Sequence, residues 1–110
     1  MKISNLLFIC SEGKNRSVTA ADLYKNEYNT CSKGIYSSFI VNLEKEIGWA
    51  DLIFVMEKQH EETLMNYYEK ILKNKPVFNL NIEDIYLKHD PKLEKIIKEK
   101  VDPILNLSKK

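Results

Sequence analysis

Little in this chain of 110 residues advertises a class: it has two cysteines, three glycines, three prolines, one tryptophan and two histidines. Cys10 and Cys31 form no C-x-x-C pair and no export signal accompanies them, so a reduced, cytoplasmic setting is expected, one in which a free thiolate survives. The apolar run Leu6, Leu7, Phe8, Ile9 before Cys10 is too short for a secretory core, and bulky Ile9 stands where cleavage needs a small residue. No stretch approaches the ~18 apolar residues of a membrane span, so no membrane partner is expected. His60 and His89 stand isolated, without ligand spacing around them, so no metal is expected. Seventeen basic and sixteen acidic side chains leave a net charge of +1, which gives no support for a nucleic-acid partner and makes any anion recognition local.

There is also no repeat, linker or low-complexity tract. With 44% hydrophobic and 10% aromatic residues, the composition supports a single domain over residues 1–110 built on one core. Residues 3–9, "ISNLLFI", read as a short buried strand. From Ser17 the apolar positions Val18, Ala21, Leu23, Tyr24 and Tyr28 fit one face of a helix fed by the loop "SEGKN". A weaker strand is expected over 28–37, a brief helix over 41–48 ending at Gly48, and a buried strand, "DLIFVM", over 51–56. A helix from Lys58 to Leu72 should turn Leu64, Met65, Tyr68, Ile71 and Leu72 inward before Pro76 breaks it, and 76–80 reads as a last strand.

The terminal helix is announced by Asp90 as N-cap and Pro91 at its first position. Its apolar stripe is Leu93, Ile96, Ile97, Val101, Ile104 and Leu105, and Pro103 is expected to kink or interrupt it. Strands alternating with helices specify an α/β fold with a parallel sheet covered on both faces. In such sheets ligands bind beyond the carboxyl ends of the strands, and Cys10 stands at such an end.

The loop from Cys10 to Arg16 is the segment that carries chemistry. Ser11, Glu12, Gly13, Lys14 and Asn15 are enough chain for backbone N–H groups to converge on one anion, with the positive end of the following helix aimed at the same place. Those dipoles and the Arg16 guanidinium favour thiolate over thiol at Cys10. Arg16 can hold two phosphoryl oxygens through its planar fork, and Ser17 can donate to the sulfur. The pattern C-x5-R-S thus describes in-line attack by sulfur on a phosphate monoester, with a cysteinyl phosphate as intermediate.

That chemistry also needs an acid for the leaving group. Asp84 and Asp90 both lie after the last strand. Asp90 is already explained as a helix cap, which would hold it ionised, whereas Asp84 has no structural explanation and ranks ahead, with Glu83 a lesser contender.

"LLFICSEGKNRSVTAADLY" resembles the amino-terminal signature of the low-molecular-weight protein tyrosine phosphatases. "WADLIFVMEKQH" and "NIEDIYLKHDPKLEKIIKEKV" are similar to a short bacterial branch of predicted protein tyrosine phosphatases, so the likeness spans nearly the whole chain. The resemblance implies a four-stranded parallel sheet with helices on both faces and a phosphatase that needs no cofactor. It also implies Cys10 as nucleophile, Arg16 as clamp, Ser17 as thiolate donor, Asp84 as general acid and Tyr86 as a wall of the substrate pocket. The expected partner is a phosphorylated protein or a small aryl phosphate.

Departures from the family pattern are local. Glu12 and Gly13 stand where Gly and Asn are usual. Gly13 is expected to take the left-handed backbone there, whereas Glu12 sets a carboxylate beside the dianion site, which costs binding unless it points to solvent or pairs with Lys14 and is the motive for a module that binds without turnover. Asn15 replaces a frequent second loop cysteine, and Ile85 replaces the proline that commonly follows the acid.

Other readings are weaker. "EGKNRS" lacks the glycine that a nucleotide-binding loop needs five positions before Gly13, since Phe8 is there. Cys31 reads as a small hydrophobe, Trp49 as a packed anchor, Tyr67 and Tyr68 as one exposed and one core ring, and Lys92, Lys95 and Lys98 as a solvated face. Arsenate reduction would need a further thiol beyond Cys31. A phosphate-binding module without turnover is the alternative from another class. Nothing in the sequence specifies an oligomeric state.

Overall fold

A computed structural model describes residues 3–36 and 43–108, with Ser108 as backbone only. Four strands form one parallel sheet: β1 (Asn5–Cys10), β2 (Asn29–Gly34), β3 (Leu52–Val55) and β4 (Val77–Asn79), in the order β2-β1-β3-β4. The helices between and after them are α1 (Arg16–Tyr24), α2 (Glu44–Trp49), α3 (Lys58–Leu72) and α4 (Pro91–Ser108). The expected α/β architecture is therefore the observed one. Residue 37 of the expected second strand, and residues 41 and 42 of the expected short helix, lie outside the described residues.

Period-two alternation along the strands divides the core into two layers. Leu6, Phe8 and Cys10 of β1 join Leu52 and Phe54 of β3 on one face, under Ala20, Ala21 and Tyr24 of α1 and Leu93, Ile97, Val101 and Leu105 of α4. Leu7 and Ile9 join Ile53 and Val55 on the other, against Ile47, Leu64 and Leu72 of α2 and α3. Phe8 stacks on Phe54 with ring centroids 5.0 Å apart, and Phe54 stacks in turn on Phe78 at 5.6 Å. Because both faces are covered, β1 and β3 are continuous apolar runs, as central parallel strands are. The Tyr24 hydroxyl ties α1 to α4 by donating to Asp102 at 2.5 Å, and burial together with that carboxylate raises its pKa.

The sheet order places β1 between β2 and β3, so the connections leaving its two sides diverge at its carboxyl end. This is the switch point where α/β sheets open a crevice, and Cys10 is its last residue. At the opposite end of the sheet the Asp51 carboxylate accepts the N–H groups of Ser4 and Asn5, both at 2.9 Å.

Three expectations need correction. Pro103 does not interrupt α4, which runs unbroken from Pro91 to Ser108. Pro103 lies on the exposed side, as does Glu99, whose carbonyl loses its helical partner to the proline and can turn to water instead. Met65 is 51% exposed and not on the inner side of α3. Trp49 is exposed at the end of α2 and is not a packed anchor, although its carbonyl accepts a hydrogen bond from Asn5 Nδ2. Non-helical dihedrals at Tyr68 bend α3, and its hydroxyl accepts the N–H of Leu43.

Gly34 closes β2 where the backbone of the loop after β1 crosses it. A Cβ placed there would lie 2.3 Å from the Glu12 carbonyl carbon and 2.6 Å from the Gly13 nitrogen, both backbone atoms that cannot rotate away. Gly34→Ala is therefore expected to destabilise the fold by about 3 kcal/mol in urea unfolding. A loss below about 0.5 kcal/mol would show that the two segments do not meet in this way.

Candidate active site

The loop of residues 11–15 is anchored before any side chain is considered. The N–H groups of Ile35 and Tyr36 continue the β2 ladder onto the carbonyls of Cys10 and Ser11, each at 2.9 Å. At the far end the Asn15 carbonyl accepts both the N–H and the hydroxyl of Thr19, at 3.0 and 2.7 Å. Between these anchors Gly13 takes φ +72°, a left-handed turn that a residue with a Cβ adopts only with strain. The loop folds back so that Gly13 N–H donates to Cys10 Sγ at 3.1 Å. Glu12 and Lys14 are both exposed.

Cys10 is buried at the base of this loop, and Ser17 Oγ, in the first turn of α1, lies 3.1 Å from its sulfur. The first turn of α1 contains no acidic residue. Its free N–H groups and the positive end of the helix dipole are thus unopposed beside the sulfur, an environment suited to a thiolate and to an incoming anion.

Arg16 is 1% exposed, and its fork is divided between two tasks. Nη1 donates to Glu57 Oε2 at 2.8 Å and to the Ile82 carbonyl at 2.6 Å. Nη2 makes only a long bond, 3.4 Å, to Ser11 Oγ. Nε is buried with no hydrogen-bond partner, its nearest carboxylate oxygen being Asp84 Oδ1 at 3.6 Å. Nη1 therefore fixes the guanidinium in place, and the Nε/Nη2 edge remains as the pair of parallel donors that suits two phosphoryl oxygens.

The loop after β4 separates the two aspartates. Asp90 Oδ1 accepts the N–H of Lys92 at 2.8 Å at the start of α4. Asp84 is 55% exposed and lies against Arg16, and Glu83 is exposed as well. Tyr86 is half-buried and packs on the α1/α4 side of the core.

Two further residues of this site are not singled out by sequence reasoning: Glu57, two residues after β3, and His60, which has no ligand spacing around it in the sequence. Glu57 is the N-cap of α3, and its N–H donates to His60 Nδ1 at 3.1 Å while the opposite ring nitrogen meets Ser11 Oγ at 2.9 Å. Burial and the nearby Arg16 charge lower the His60 pKa, against the opposing pull of Glu57 and Asp84. The available signal was position: "MEKQH" follows β3 at the same carboxyl edge of the sheet as Cys10. Cys31, by contrast, pairs with Leu7 in the register and packs on the α2/α3 side of the sheet, whereas Cys10 belongs to the opposite layer. Among the described residues, no group of three His, Cys, Asp or Glu is placed to hold a metal ion.

At the level of sequence, neither a family model nor a curated protein matches the chain. Solved structures do share its fold. YwlE arginine phosphatase from Geobacillus stearothermophilus aligns with a TM-score of 0.66 at 19% identity, covering 94% of each chain. The tyrosine phosphatase Wzb from Escherichia coli K30, in complex with phosphate, aligns with a TM-score of 0.70 at 14% identity over 96% of this chain and 99% of its own. The Erwinia amylovora tyrosine phosphatase AmsI gives 0.58 at 15% identity over 98% and 90%. The fold is thus that of the low-molecular-weight phosphatases, the four-stranded parallel sheet with flanking helices that the resemblance implied.

The buried imidazole makes stability depend on pH. Since the folded pKa of His60 lies below its ordinary 6.5, the unfolded chain binds a proton there before the folded chain does. Stability that is complete above pH 6.5 is therefore lost as pH falls toward the folded value. Urea unfolding should show the parent losing stability more steeply than His60→Gln as pH drops below 6.5, whereas parallel profiles would contradict the lowered value.

Proposed function

We propose that this chain is a cysteine-dependent phosphomonoester hydrolase, acting on a phosphorylated protein such as a phosphotyrosine protein, or on a small aryl phosphate. The observation that carries this reading is the convergence on one sulfur of the Gly13 N–H and the Ser17 hydroxyl, each at 3.1 Å, beside a buried arginine whose Nε has no hydrogen-bond partner and whose Nη2 makes only the 3.4 Å bond to Ser11. Phosphatases on the same fold add support. The backbone and side chains of residues 11–17 are the phosphate-binding loop in this reading, with Arg16 gripping two of the equatorial oxygens.

The Cys10 thiolate attacks phosphorus, the P–O bond to the leaving group breaks, and an S–P bond forms. Asp84 gives its proton to the departing oxygen, with Tyr86 lining the side of the pocket. Asp84, now a carboxylate, then takes a proton from water as that water attacks phosphorus. The S–P bond breaks, and the returning thiolate is met by Ser17 and Gly13. Asp90 is occupied by the start of α4, and of the exposed pair Glu83 and Asp84 it is Asp84 that lies against Arg16, so neither Asp90 nor Glu83 competes well for the acid's role.

Nucleophile, clamp and acid all come from the chain, and no cofactor enters the scheme. A cytoplasmic setting, which keeps thiols reduced, suits it. Arsenate reduction fits less well, because Cys31 lies across the sheet from Cys10 and cannot pass a disulfide to it. The turnover-free binding module fits less well, because its motive, the Glu12 carboxylate, is exposed, where solvent screens its charge.

Steady-state hydrolysis of p-nitrophenyl phosphate in the presence of a chelator tests the reading. The parent should be active, Cys10→Ser and Arg16→Ala inactive, and Asp90→Asn close to the parent in activity. Asp84→Asn should lower kcat by about 10²–10⁴-fold on phenyl phosphate, and by less on p-nitrophenyl phosphate, whose leaving group needs no proton. If that leaving-group dependence follows Asp90→Asn instead, the acid is misassigned. A parent that binds phosphate without hydrolysing either ester would favour the binding module.

A further inference from the structure

The bond pattern around His60 determines where its proton sits. Glu57 N–H donates to Nδ1, so that nitrogen offers a lone pair, and a neutral imidazole must then carry its single hydrogen on Nε2. Nε2 lies 2.9 Å from Ser11 Oγ and is therefore the donor in that contact. Arg16 Nη2 donates to the same oxygen at 3.4 Å. Ser11 Oγ thus receives two N–H bonds, and its own hydrogen has no acceptor among the described residues.

From this accounting we infer that His60 is a positioning residue of the anion site, which acts through Ser11 by turning the serine hydroxyl into an obligate donor toward the phosphoryl oxygens. The inference rests on the phosphohydrolase reading for its ligand. Without the imidazole, the Ser11 hydroxyl is free to rotate and to spend its hydrogen elsewhere. With it, both lone-pair directions are engaged and the O–H is held beside the Nη2 donor that the phosphoryl group would use. Both ring nitrogens of the buried His60 are already engaged, Nδ1 by the Glu57 N–H and Nε2 by Ser11 Oγ, so the imidazole reaches a ligand through the serine and not directly. Lowered basicity from burial and from Arg16 keeps the ring in the neutral form that this tautomer needs. The polar link from backbone Glu57 through His60 to Ser11 thus runs from the start of α3 to the first residue of the anion loop.

The test is inorganic phosphate binding measured by calorimetry on the full chain, with the parent, Ser11→Ala, His60→Ala, His60→Gln and the Ser11→Ala/His60→Ala double variant. A glutamine amide can occupy the Nε2 position and donate to Ser11 while nearly preserving the buried volume. Circular dichroism and melting temperature serve to compare variants of equal foldedness. Ser11→Ala and His60→Ala should each weaken phosphate by about tenfold, the double variant by no more than either single change, and His60→Gln by about threefold or less. Additive losses near a hundredfold in the double variant, or a Ser11→Ala protein that binds like the parent, would overturn the coupling. So would a His60→Gln protein that folds but binds no better than His60→Ala. The outcome is separable from the hydrolase reading: a parent that binds phosphate with this coupling but cleaves no ester sinks the reading and leaves the inference standing. A parent that cleaves esters while the losses are additive does the reverse.

Discussion

Burying a guanidinium is among the more expensive things a small fold can do, since the effective penalty after relaxation is still several kcal/mol per ion. Arg16 is the largest fully buried side chain among the described residues, and much of the carboxyl edge of the sheet is arranged around it. Glu57, the N-cap of α3 just after β3, supplies the opposite charge, and the Ile82 carbonyl after β4 a second acceptor, so one nitrogen of the fork draws together three segments distant in sequence. The remaining edge of the fork is left with little compensation, which an anion seated there would supply. A site held in that geometry before its ligand is present would be preorganised in the electrostatic sense.

The sulfur benefits from the same construction. Cys10 lies at the end of a central strand whose flanking connections diverge, and the tight turn at Gly13, made possible by the backbone contact with Gly34, brings an N–H back onto Sγ. Ser17 meets the sulfur only because the helix begins at Arg16, immediately after the loop. Strand, turn and helix are thus each necessary to one local field. An anion loop of this kind needs no excess of positive charge on the protein as a whole, and the chain carries a net charge of only +1.

Much of this was legible from residues near one another in the chain. The C-x5-R-S spacing, the apolar run of β1 and the Asp90-Pro91 start of α4 are local signals. The preference for Asp84 over Asp90 as acid came from asking which carboxylate already had a structural task, and the Lys92 N–H on Asp90 matches that reasoning. What escaped was non-local. Glu57 and His60 lie 41 and 49 positions from the loop residues they touch, and nothing in "MEKQH" alone says that the β3 edge abuts the β1 edge. Met65 and Trp49 were misplaced because helical periodicity and residue size describe a tendency to be buried, while the sheet's extent decides which turn of a helix it covers. Pro103 was read by its usual effect on a helix interior, which is softened where the orphaned carbonyl can face water.

The central claim is that the fold makes the sulfur of Cys10 a nucleophile that shares its site with an anion. Cys31 is an internal control, since burial raises its pKa. The most direct measurement is peptide-resolved alkylation of both cysteines by iodoacetamide at about pH 6, with and without inorganic phosphate. The account predicts that Cys10 reacts many times faster than Cys31 and is protected by phosphate, whereas Cys31 is indifferent to it. Equal, slow alkylation of the two thiols, unaffected by phosphate, would contradict it.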